Sequence, residues 1–132
     1  MTGISEGTYV LRVIRRKTLV AARGNTYRVL IDDREQGVVH NGEMVDIPIQ
    51  AGRHEFQLVI AGAPYPPQAN RMGHMLASRP VEIMAHEILE FVCGPGAADF
   101  FPFSRVDGKV RPDIMLKPKP SRVTRHTWRS YD

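Results

Sequence analysis

Apolar and polar positions alternate with a period of two through most of the first 93 residues. In "TYVLRVIR", Tyr9, Leu11 and Val13 fall on one face and Val10, Arg12 and Ile14 on the other. "TYRVLID" puts Tyr27, Val29 and Ile31 together, and "EMVDIPI" sets Val45, Ile47 and Ile49 against Met44, Asp46 and Pro48. "RHEFQLVI" aligns His54, Phe56, Leu58 and Ile60, and in "EILEFVC" Leu89, Phe91 and Cys93 share a face. A strand with one buried face requires this period. No segment before residue 94 carries a 3.6-residue apolar stripe. The pattern predicts an all-β fold, an antiparallel β-sandwich of about seven strands.

Turn residues punctuate the runs. Asn41-Gly42, between "GVVH" and "EMVDIPI", is the strongest two-residue hairpin signal in the chain. Asp32-Asp33 marks a further turn, read as a solvated cap, and Ala51-Gly52 separates two more strands. "RPVEIM" and "EILEFVC" flank Ala85-His86 and read as another hairpin. Pro48 has no N–H for a ladder, which predicts an edge strand or a bulge there. Residues 61–76, "AGAPYPPQANRMGHML", break the pattern with three prolines and two glycines. A loop this long in a compact domain is often functional. Tyr65, Asn70, Arg71 and His74 are its candidate contacts for a carbohydrate or another small ligand; the alternative is a flap covering a sheet edge.

The order of elements between Tyr27 and Val92 resembles small bacterial sandwich domains. "YRVLIDDREQGVVHNGEMVDIPIQAGRHEFQL" reads as a strand ending in Asp, a turn, a Gly-Val strand, an Asn-Gly turn, an apolar strand and a Gly-x-His start to the next. "SRPVEIMAHEILEFVC" closes it. It is similar to PEGA-type and carbohydrate-binding-like or prealbumin-like modules, although the Pro-Glu-Gly-Ala signature is absent and Asp33 stands where Gly is common. The resemblance implies a non-enzymatic accessory or interaction module of a bacterial assembly.

Charge divides the chain. Residues 1–103 carry 10 Lys/Arg against 11 Asp/Glu, whereas residues 104–132 carry 8 against 3. The reading is therefore a sandwich domain over 1–103 followed by a basic, proline-containing tail over 104–132. Lys117, Lys119, Arg122, Arg125, Trp128, Arg129 and Tyr131 are the tail's candidate partner-binding residues. Cations with interleaved aromatic rings suit docking on a protein or a neighbouring subunit. They also suit nucleic acid or another anionic surface, where cations meet phosphates and rings stack on bases. The near-neutral body adds no field to support the second reading, so protein docking is placed first.

Little else points to chemistry. Single Cys93 forms no internal disulfide, and its register predicts a buried, inert thiol. His40, His54, His74, His86 and His126 lack the spacing of a metal motif, so no metal or cofactor is expected. No nucleophile–base–orienter set assembles, so catalysis is not expected. His54, in register with Phe56, is read as a packing residue that bonds a turn carbonyl, with a metal or catalytic role as the alternative. No apolar run reaches the roughly 20 residues of a membrane span, and no secretory signal opens the sequence. The expectation is a cytoplasmic protein without membrane insertion.

Overall fold

The structure, a computed structural model, describes residues 8–18, 25–69, 73–85, 89–96 and 111–119. Its elements are β1 (Thr8–Arg15), β2 (Tyr27–Ile31), β3 (Arg34–Val39), β4 (Met44–Gln50), β5 (Gly52–Ile60), β6 (His74–Met75), β7 (Val81–Ala85), β8 (Leu89–Pro95), β9 (Arg111–Pro112) and β10 (Ile114–Pro118). One four-stranded sheet has the order β10-β8-β1-β4 and the other β3-β2-β5-β7, with β6 and β9 forming a separate two-residue pair. The two sheets pack into an all-β sandwich with eight strands among the described residues. Every pairing within them is antiparallel except β1 with β8, which is parallel.

The inward faces are those that the alternation assigns. Leu11 and Val13 of β1, Tyr27, Val29 and Ile31 of β2, Ile47 and Ile49 of β4, Phe56 and Leu58 of β5, and Phe91 and Cys93 of β8 all lie in one core. Phe56 and Phe91 meet edge to face across the two sheets, centroids 5.2 Å apart. Arg15 closes the same core. It is buried, its guanidinium lies 3.8 Å from the Tyr27 ring centroid, and it donates to the carbonyls of Asn25 and Val39. In β5 both faces are buried from Phe56 to Val59. On the outer side, Leu30, Val59 and Ala77 form a small second cluster. There Ser78 accepts from Leu58 N and returns its own N–H to Leu58 O, and Ile60 N donates to Leu76 O. The segment after the long loop thus covers the free edge of β5 beyond β7.

Two connections differ from the sequence reading, while Asp32-Asp33 is a turn as expected. β3 and β4 lie in different sheets, so Asn41-Gly42 is an arch between layers rather than a hairpin. Only Gly42 has positive φ, at 77°, and the turn closes through Glu43 N to His40 O. Asn41 spends its amide pinning the exit of β1, accepting from Thr18 N and donating to Thr18 O, both at 2.9 Å. The two-residue hairpin with positive φ at both positions is Asp32-Asp33, at 52° and 67°, between β2 and β3. The expected β7–β8 hairpin is likewise an inter-sheet crossing, since β7 pairs with β5 and β8 with β1 and β10.

The sandwich also extends past residue 103. β10 lies along β8 with Ile114 opposite Pro95 and Leu116 opposite Cys93, and Ile114 is 1% exposed in the core. Residues 114–118 are therefore a structural edge of the first sheet. Pro48 sits, as predicted, in an edge strand, β4.

Candidate functional site

β3 and β4 are edge strands of opposite sheets, joined at one end by the Asn41-Gly42 arch. Near the arch they close on each other, with the Cδ1 of Ile47 2.9 Å from where a Cβ on Gly37 would stand. At the far end they part. There a half-open cleft of about 540 Å³ is lined by Thr8, Ile31, Asp32, Arg34, Gln36, Pro48, Ile49, Gln50 and His54.

A β-bulge puts the polar groups into this cleft. Val29 pairs with Gly37 but Leu30 pairs with Glu35, so Gln36 is an extra residue on β3. Gly37 faces inward against Ile47, and Glu35 faces outward, bonded to Arg28 at 2.6 Å. Gln36 and Gly37 therefore both point inward, and the alternation beyond them reverses. Arg34, opposite the buried Ile31, lands on the inner face as a result. An unbulged β3 would have sent Arg34 and Gln36 to the outer surface.

His54 forms one wall. Its Nδ1 lies 2.6 Å from Asp32 Oδ2 and its Nε2 lies 2.8 Å from Gln50 O. A carboxylate and a carbonyl only accept, so the two contacts together favour the doubly protonated ring, in which both nitrogens donate. The bond to Asp32 is the main cause that raises the His54 pKa, and the same bond lowers that of Asp32. Asp32 also accepts from Glu55 N at 2.9 Å through its other oxygen. His54 thus ties the β2–β3 turn to the β4–β5 turn. The turn carbonyl expected from sequence is Gln50 O; Asp32 is a partner that sequence reading assigned only to its own turn.

The other singled-out residues lie elsewhere. Tyr65 donates its hydroxyl to Asp33 in the β2–β3 turn. That bond, with burial second, pushes its pKa up to about 12. His74 is buried in β6, paired in register with Arg111, and its Nδ1 is 3.8 Å from Asp113 Oδ1. Burial raises the Asp113 pKa, partly offset by His74. Asn70 and Arg71 lie outside the described residues, so the described members of the loop set are held by two different parts of the fold. Lys117 and Lys119 are exposed at the end of β10, with Lys119 N donating to Glu90 O at 2.8 Å. Arg122, Arg125, Trp128, Arg129 and Tyr131 lie outside the described residues.

Cys93 is buried and its thiol is pushed up to about 12 by desolvation, an effect that Arg15 only partly opposes. Among the described residues no three His, Cys, Asp or Glu side chains group as a metal site, and no helix is long and apolar enough to cross a membrane. Comparison with known proteins finds no matching family model, curated protein or solved structure.

Proposed function

We propose that this chain is a non-enzymatic interaction module that docks on a protein partner or a neighbouring subunit, partly through its basic C-terminal segment. The observation that carries this reading is the position of β10. Ile114 sits in the core while Lys117, Pro118 and Lys119 are exposed along a sheet edge. The basic segment therefore starts from a rigid strand, and a docked arm loses less orientational freedom when its root is fixed. Pro118 and Pro120 favour an extended backbone, which suits groove or edge recognition, and Trp128 offers an aromatic anchor.

The test compares the full chain with a 1–119 truncation and with Trp128→Ala in affinity capture from native lysate and in sedimentation. Loss of the same captured protein, or of self-association, in both variants supports docking. Steeply salt-dependent binding to duplex or single-stranded DNA, with no protein partner, would favour the nucleic-acid reading instead.

A further inference from the structure

The arginines of the two sheets differ in how their charge is met. Arg12 holds Asp46 at 2.8 Å and Glu90 at 3.4 Å, Arg28 holds Glu35 at 2.6 Å, and Arg53 holds Glu82 at 3.5 Å. Arg34 makes no ion pair and no side-chain hydrogen bond among the described residues, although it stands in a concave cleft. Asp32, the carboxylate beside it, is already committed: one oxygen takes His54 Nδ1 and the other takes Glu55 N–H. Asp32 is paired with His54 Nδ1 at 2.6 Å, and the nearby Arg34 charge is only a minor cause of its lowered pKa, so Arg34 is the permanent cation of the cleft. Gln36 and Gln50 likewise spend no side-chain hydrogen bond among the described residues. Ile31, Ile49 and Pro48 line the same cleft with apolar surface.

This combination is one cation in a fork geometry, two amides with open donors, and an apolar lining, in a volume within the usual range of small-ligand sites. The bulge at Gln36 adds weight, because bulges on edge strands commonly re-aim side chains toward a site. We propose that the β3–β4 cleft binds a small organic carboxylate, its head on Arg34 and Gln36 and its apolar body against Ile31, Ile49 and Pro48. No described residue of the C-terminal segment lines this cleft.

The probes are sodium acetate, butyrate and benzoate, with benzamide as the neutral isostere of benzoate. Each is titrated into the ¹⁵N-labelled full chain at constant ionic strength. Benzoate should shift the amides of Arg34, Gln36 and Gln50, with benzamide at least about tenfold weaker, as expected for loss of a charge-assisted pair. Arg34→Gln should weaken benzoate by about tenfold or more and leave benzamide unchanged, because only the charged head uses Arg34. Gln36→Glu, which opposes the anion with a carboxylate, should weaken benzoate in the same direction. Dispersed spectra of both variants report intact folding. Equal binding of benzoate and benzamide, shifts unaltered by Arg34→Gln in a folded variant, shifts confined to other surfaces, or no shift with any of the carboxylates at about 50 mM would each overturn the proposal.

Discussion

His54 shows how one side chain acquires a role through a partner distant in sequence. The alternation placed it in the apolar register, and the adjacent turn supplied Gln50 O; Asp32, 22 positions earlier, came from the pairing of β2 with β5 within one sheet. No local spacing rule reports such a pair. Its ring is only 14% exposed, but Asp32 is 52% exposed, so solvent screens the interaction. His54→Ala should therefore cost about 1–2 kcal/mol. The folded pKa of His54 is raised, so its contribution is fully present below about 6.5 and is lost as pH rises through the folded value. The folded pKa of Asp32 is lowered, so its contribution is present above about 3.8 and is lost as pH falls through the lowered value. Urea denaturation of both proteins at about pH 5.5 and about pH 8.5 should show a larger gap at the lower pH; an equal gap would mean that His54 is neutral at both. Cys93 follows from simpler reasoning. Its register with Leu89 and Phe91 gave burial directly, and burial raises its pKa to about 12. A thiol reagent should label it slowly in the native state and rapidly in denaturant.

At the scale of elements, the strands and their inner faces were legible but their sheets were not. Alternation reports that a face meets an apolar layer, and both layers of a sandwich meet the same one. Asn41-Gly42 suits a hairpin locally, yet Thr18 and the packing of Gly37 on Ile47 carry β4 across to the other sheet. The cleft stayed hidden for a related reason. The sequence shows a Gly-Val strand after the Asp32-Asp33 turn, and only the extra residue opposite β2 turns Arg34 and Gln36 inward. Two glycines test the packing of these elements with opposite outcomes. A Cβ at Gly96 would lie 2.4 Å from Pro112 O, a backbone atom fixed by the Gly96 N to Asp113 O bond. Gly96→Ala must then displace the β9–β10 turn from β8, and should cost about 2–3 kcal/mol. At Gly37 the obstructing atom is the tip of Ile47, which has other rotamers, so Gly37→Ala should cost about 1 kcal/mol or less. Thermal denaturation of the two variants side by side checks the ranking.

For the whole molecule, the decisive question is where the sandwich ends and the arm begins. Composition put the boundary at 103, because charge changes there; packing puts Ile114 and Leu116 against the core at the edge of the first sheet. An apolar "IML" within a basic stretch is the sequence trace of that strand, too short to stand out beside three prolines in the same segment. Truncations on either side of β10 should therefore behave differently. Removing 120–132 leaves every described ladder bond of β10 in place, including Lys119 N to Glu90 O, so Tm should barely move. Removing 114–132 takes Ile114 from the core and strips the outer edge of β8, which should cost at least about 3 kcal/mol. If partner docking depends on the arm, both truncations lose it, and the first does so without loss of stability. Docking retained by a folded 1–119 chain would move the interface onto the sandwich itself. The salt dependence then separates the two kinds of arm: protein docking anchored by Trp128 should respond weakly to salt. A phosphate-binding arm should lose about 0.9 from its log–log salt slope for each duplex contact removed, at Arg122, Arg125 and Arg129 alike.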